Sequence, residues 1–217
     1  MTFNRILLLF YFISPFILVA QKPYALNGNR ELFIDNFFID QLSNIELKLH
    51  PPIDEGIVLN FDKPWEGPFC GYVTIIKDND IYRVYYRGSQ GGKDGNNNEV
   101  TCYAESKDGI KWYKPNLGIH TIQGSKKNNV VLANVAPVTH NFSPFLDKNP
   151  KARPDQKYKG LGGVDKIGLL AYVSEDGIHW KELQNEAVFK KGVFDSQNVA
   201  FWSESEKCYV CYFRIWS

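Results

Sequence analysis

From residue 68 onward the chain runs in short apolar stretches broken by Asp, Asn, Gly and Ser, and helical spacing is nearly absent after residue 25. Apolar runs at 72–76, 141–146 and 198–202 each lead into a polar turn, at Asp78-Asn79-Asp80, at Asp147 and at Ser203-Glu204. A Tyr-rich strand follows each turn. Tyr82-Arg-Val-Tyr-Tyr-Arg87 matches Tyr209-Val-Cys-Tyr-Phe-Arg214, and Tyr158-Lys-Gly-Leu-Gly-Gly163 is a weaker third copy. Further on, Ser-x-Asp-Gly-Ile-x-Trp occurs twice, at 106–112 and 174–180. Asp-Gly predicts a two-residue hairpin, since Gly accepts the positive φ of a type I′ turn, and the Trp can fold back over it. One module therefore reads as four antiparallel strands, with loop insertions at 90–98 and 147–155. Four-strand repeats of about 40–50 residues are the mark of β-propeller blades. The expectation is an all-β propeller with consecutive antiparallel sheets over 68–214 and both Asp-Gly tips on the periphery.

The first twenty residues follow a different pattern. Arg5 precedes an apolar run at 6–19 that ends at Ala20-Gln21. That reads as a signal peptide over 1–20, with a partial propeller domain over 21–217 and a secreted or periplasmic protein. Leu18 departs from the usual small residue before a cleavage site, so an uncleaved anchor, the one membrane contact envisaged, stays open. Fifteen per cent of the residues are aromatic and the formal net charge is +1. That balance, with paired lysines only at Lys126-Lys127 and Lys190-Lys191, offers no footprint for nucleic acid. Four cysteines in an exported chain invite disulfides. Cys208 and Cys211, three apart on one strand, face opposite ways and cannot bridge locally, and without a second pair or a nearby His they make no zinc site. The four are read as buried free thiols, and no metal or cofactor is implied.

Only two modules are complete, and the third stops just past its second strand. A propeller closes on itself to remove its sheet edges, so about two and a half blades read as the N-terminal portion of a longer protein. The repeated hairpins, the Tyr-x-x-Tyr-aromatic-Arg strands and Phe194-Asp-Ser-Gln-Asn198 together resemble the five-bladed propeller glycoside hydrolases of the arabinanase, levansucrase and invertase superfamily. The opening, from Glu31-Leu-Phe-Ile-Asp35 to Asp62-Lys-Pro-Trp-Glu-Gly67, is similar to an uncharacterised secreted bacterial branch related to the invertase N-terminal domain. The invertase-type Asn-Asp-Pro-Asn-Gly and Arg-Asp-Pro signatures are missing. The resemblance implies an exported hydrolase of plant or algal poly- or oligosaccharides, the alternative being a non-catalytic carbohydrate-binding or interaction propeller.

It also implies carboxylates at the starts of the innermost strands. Internal alignment puts Glu66, His140 and Asp195 at matching positions, with Glu66 and Asp195 the candidate catalytic pair, since glycoside hydrolysis uses two carboxyl groups. Trp65 is the candidate sugar platform, and His140, Asn141, Gln197, Asn198 and Arg87 are candidate substrate-binding residues. Arg214, equivalent to Arg87, is an anion clamp or a salt-bridge partner. Asp35 and Asp40 are placed on an N-terminal strand helping to close the ring. Asp78, Asp147 and Glu204 align at the far ends of their strands and read as turn residues. Trp112 and Trp180 are assigned to hairpin packing on the outer blade edge and Trp202 to the core. Asn141-Phe-Ser143 is formally a glycosylation sequon.

Overall fold

The computed structural model describes residues 23–28, 30–91 and 95–216. The expected signal peptide lies outside the described residues. Two compact units divide after Ile53. In the first, residues 23–53 contain turns and bends but no strand among the described residues, which corrects the closing strand expected there. Asp35 instead accepts the Phe37 backbone N–H at 2.8 Å in a local turn, and an aromatic group forms where Phe38 meets Tyr24 and Phe37 edge-on at 5.2 and 4.9 Å.

The second unit, from Asp54, is built from antiparallel sheets. The first runs in chain order through β1 (Gly71–Asp78), β2 (Ile81–Gly88), β3 (Val100–Ser106) and β4 (Trp112–Tyr113), and β5 (Val130–Leu132) also pairs with β3. The second holds β6 (Ser143–Leu146), β7 (Tyr158–Val164), β8 (Gly168–Ser174) and β9 (Lys181–Glu182); the third holds β10 (Val199–Ser203) and β11 (Cys208–Tyr212). Helix among the described residues amounts to two 3-10 turns, Val138–His140 and Pro154–Gln156.

Successive sheets stack face to face, as propeller blades do. On β2, Val84 and Tyr86 point one way, into a cluster with Cys102, Ala104 and Val130. Tyr85 points the other way and packs with Tyr103, Val131 and Tyr158 of the second sheet. With both faces covered, β3 reads Val-Thr-Cys-Tyr-Ala rather than alternating apolar and polar. Leu161, Leu169 and Ala171 then join the second sheet to Phe194 and Ala200. The third Tyr strand is the weakest copy for a packing reason. A Cβ at Gly160 would meet the Phe142 ring at 2.4 Å, and one at Gly162 the Val138 carbonyl at 2.4 Å.

The aligned acids tie neighbouring sheets together. Asp78, ending β1, accepts from Lys157 Nζ at 2.8 Å and from the Tyr158 hydroxyl of the second sheet. Asp147, after β6, accepts from Lys159 Nζ at 2.5 Å and from the Tyr209 hydroxyl of the third sheet at 2.8 Å. The same two-residue device thus recurs at both junctions. Glu204 is exposed.

The two Asp-Gly motifs are not two-residue hairpins. Ser106 pairs with Trp112, leaving a five-residue loop over 107–111. Ser106 Oγ accepts from Gly109 N at 2.9 Å, Asp108 Oδ1 from the N–H groups of Ile110 and Lys111, and Trp112 Nε1 donates to the Gly109 carbonyl at 2.9 Å. Ser174, Asp176, Gly177 and Trp180 repeat these bonds. The side chains satisfy the loop backbone, so a longer loop wins over the tight turn. A two-residue turn with both central φ positive, as type I′ needs, occurs instead at Gln123-Gly124. The second motif is not peripheral either: Trp180 packs against Tyr85, Phe142 and Tyr158 between the sheets, and Tyr85 donates to the Gly177 carbonyl at 2.8 Å. Trp202 is half-buried against Tyr209 rather than core.

All four cysteines are free. Cys102 is buried, Cys70 and Cys211 are half-buried, and Cys208 is exposed, which corrects its reading as a buried thiol. Burial, helped by the nearby Glu66 charge, pushes the Cys70 thiol up to about 11.

Candidate active centre around His140

His140 closes its 3-10 turn fully buried. Its Nδ1 lies 3.0 Å from Glu99 Oε1, 3.1 Å from Arg87 Nη1 and 3.2 Å from Gly95 N. Gly95 N donates to Nδ1, with the Glu99 carboxyl and the Arg87 guanidinium beside it. Nε2 meets the Asp195 carbonyl at 3.3 Å, and a carbonyl only accepts, so Nε2 carries a hydrogen. Glu99 is 1% exposed, and its second oxygen is buried without a hydrogen-bond partner among the described residues.

Tyr72 completes the centre from below. The β1–β2 register slips between Gly71 and Thr74, and Tyr72 sits at that bulge with φ +51°, a conformation side-chain-bearing residues rarely adopt. Its hydroxyl donates to the Asp195 carbonyl at 2.8 Å, and its ring lies 4.8 Å from the Arg87 guanidinium and 5.2 Å, edge-on, from His140. Tyr72 and His140 thus anchor the Asp195 main chain. The carboxylate, 45% exposed, pairs with Arg214.

Asn141 and Asn198 hold the segment before β10. Asn141 Nδ2 donates to the carbonyls of Gly163, Phe194 and Ser196, and its Oδ1 accepts from Gly163 N. Asn198 Nδ2 donates to Phe194 and Ser196. Both are fully buried, the Asn141 amide wholly committed to backbone and Asn198 through its Nδ2, with Asn198 Oδ1 buried without a partner among the described residues, so neither presents its amide to a sugar, and the sequon at Asn141 is inaccessible in the folded chain. Gln197 donates to Thr74 Oγ1 at 2.8 Å and lines a cleft of about 450 Å³ between β1, β6 and β10 with Thr74, Ser143, Lys77 and Lys148.

Glu66 is elsewhere. Its carboxylate accepts from the Tyr86 hydroxyl at 2.5 Å, from Lys114 Nζ at 2.7 and 2.8 Å and from Lys63 N at 2.8 Å, with no exposure. Tyr86 and Arg87 are neighbours on β2 and point to opposite faces, so Glu66 and His140 occupy opposite sides of the first sheet. Trp65 lies on the Glu66 side: Nε1 donates to Asn129 Oδ1 at 2.7 Å and the ring packs on the Tyr86 cluster.

Of the sequence candidates, the fold therefore gathers Arg87, His140 and Asp195, with Arg214. It adds two residues the sequence did not single out. Tyr72 was hidden in an apolar run, and Glu99 at the end of a polar insertion. An acid immediately before a strand was the available signal for Glu99; nothing in the sequence marks the bulge at Tyr72.

No protein-family model and no curated protein matches the chain. Solved structures similar to it are glycoside hydrolases. A glycosyl hydrolase from Bacteroides ovatus is 17% identical, covering 66% of this chain and 42% of the other, with a TM-score of 0.40. A fructofuranosidase from Schwanniomyces occidentalis complexed with fructosylnystose is 15% identical, covering 72% of this chain and 33% of that one, with a TM-score of 0.41. A member of the GH130 family, whose glycoside hydrolases target β-1,2 mannosidic linkages in Candida mannan, is 18% identical over 67% of this chain and 42% of its own, with a TM-score of 0.39. The chain spans less than half the length of each. Likeness at this level concerns the course of the backbone; the chemistry rests on the side chains above.

Proposed function

We propose that the chain forms part of a five-bladed carbohydrate-active propeller of the glycoside hydrolase kind, with Asp195 as the carboxylate that meets the sugar. The observation that carries this reading is the contrast within one cluster. Glu99 and His140 are sealed from solvent, whereas Asp195 is half-exposed, with its main chain held from two sides and its carboxylate oriented by Arg214. A carboxylate fixed in that way suits a nucleophile or general base at a glycosidic carbon. Glu99 and His140 act through the Asp195 main chain and are positioning residues. Gln197, in the cleft, is proposed to touch saccharide on this side of the sheet. Export, and with it a plant or algal substrate, is supported by Arg5 and the apolar run at 6–19.

A second reading is favoured by Glu66. Hydrolysis needs two carboxyl groups, and the Lys114 ion pair removes this one from the centre, which fits a binding propeller with no hydrolytic step. The test is reducing-sugar release from plant and algal polysaccharides by wild type and Asp195→Asn. The hydrolase reading expects a loss of at least about 100-fold in turnover in the variant, with saccharide binding retained. Unchanged turnover in Asp195→Asn removes Asp195 from the chemistry. Binding without reducing-end release by wild type decides for the binding propeller.

A further inference from the structure

A second cavity of about 250 Å³ opens on the Trp65 side of the first sheet. Trp65, Gln90, Asn97, Asn98, Gln123 and Asn134 line it, and among the described residues no Asp, Glu, Lys, Arg or His does. Five amides and one ring without a formal charge suit a ligand that is itself neutral and densely hydroxylated: amides donate and accept at once, and an aromatic face covers sugar C–H groups. An apolar ligand would leave the amides unpaired, and an ionic one would find no counter-charge among the described lining residues.

The wall is built rather than incidental. Trp65 is held at one edge by Asn129 and at its face by the core, so its ring is rigid. Gln90 Nε2 is fixed on the Pro64 carbonyl. Gln123 and Asn134 both hold left-handed backbone, with φ of 50° and 60°. For Gln this is a costly conformation, and the two residues reach the same cavity from separate segments. The cavity also shares its segments with the His140 centre. Residues 95–99 carry Asn97 and Asn98 to the cavity and Glu99 to His140, and residues 133–140 carry Asn134 to the one and His140 to the other.

We infer that this cavity is a binding site for a single neutral sugar unit, separate from the His140 centre. It goes beyond the function proposed above and stands whether or not Asp195 hydrolyses anything. The test is saturation-transfer NMR of the chain with D-galactose, D-mannose and L-arabinose, and with D-galacturonate as the charged comparison. At least one neutral sugar is expected to bind, with galacturonate weaker by about tenfold. Gln123→Gly and Asn134→Gly keep the left-handed backbone while removing an amide, and each is expected to weaken binding roughly three- to tenfold. No binding of any neutral sugar overturns the inference, as does equal binding of galacturonate. Binding that neither glycine variant weakens overturns it as well, and leaves standing the hydrolase reading, which the turnover of Asp195→Asn tests.

Discussion

Glu66→Gln separates a structural carboxylate from a reacting one. The substitution keeps the shape of the side chain but removes the charge on which the Tyr86 hydroxyl, Lys114 Nζ and Lys63 N converge, at a position with no solvent exposure. Removing one partner of a buried ion pair costs about 3–5 kcal/mol when the other is left without compensation. Lys114 is better placed than that. It is 11% exposed and keeps the Asn60 carbonyl at 2.6 Å and the exposed Asp62 at 3.2 Å. The loss should therefore fall at about 2–3 kcal/mol, and with an m-value of about 2 kcal/mol/M the urea midpoint drops by about 1 M or slightly more. Unfolding followed by tryptophan fluorescence measures it. Lys114→Met and the double variant complete a cycle, in which a coupling of about 1–3 kcal/mol is expected. The reasoning is refuted if Glu66→Gln stays within about 0.5 kcal/mol of wild type while turnover disappears, because Glu66 would then be a reacting group.

The two Ser-x-Asp-Gly-Ile-x-Trp loops should respond differently to the same change. Gly109 and Gly177 have φ of +77° and +78°, but a Cβ at 109 meets open space and one at 177 comes within 2.6 Å of the Tyr85 hydroxyl. Gly109→Ala should cost about 1–2 kcal/mol and Gly177→Ala about 2–4, and equal losses in urea unfolding would sink the placement of the second loop between the sheets. Acid should loosen the first junction. Burial alone would raise the Asp78 carboxyl, but hydrogen bonds from Lys157 and Tyr158 and the charges of Lys157 and Arg83 outweigh it and hold the group below the usual range. Its contribution is thus present above the unfolded value of about 4 and is lost as pH falls through the lower folded value, so Asp78→Asn should flatten the fall in stability below about pH 4. Identical pH profiles for the two proteins would count against it. Among the thiols, exposed Cys208 should react with an aromatic disulfide reagent in the native protein, while Cys102 and the raised Cys70 wait for unfolding; prompt labelling of Cys102 would contradict the first-sheet core.

What the sequence determined by itself was local and periodic. Short apolar runs between polar turns and a repeated Tyr motif marked the inner and Tyr-rich strands, because a buried strand needs an apolar stretch and the residues between strands must turn. The aligned Asp78 and Asp147 were legible as turn acids for the same reason, although their Tyr158 and Tyr209 partners on the next sheet were not. The Asp-Gly loops show where local reasoning stopped: the dipeptide suits a tight turn, but Ser106, Asp108 and Trp112 satisfy a longer one, and the choice between them is a sum of bonds the dipeptide does not contain. The site was decided by tertiary structure. Internal alignment put Glu66, His140 and Asp195 at one blade position, yet which face of a sheet a loop residue reaches depends on how the chain enters it. Glu66 entered on the Tyr86 side and His140 on the Arg87 side, one residue and one face apart. Tyr72 reaches the centre only because a bulge turns it there, and Glu99 only because the start of β3 sets it beside Arg87 and His140. Such placements come from packing between segments far apart in the chain, and strand periodicity holds no record of them.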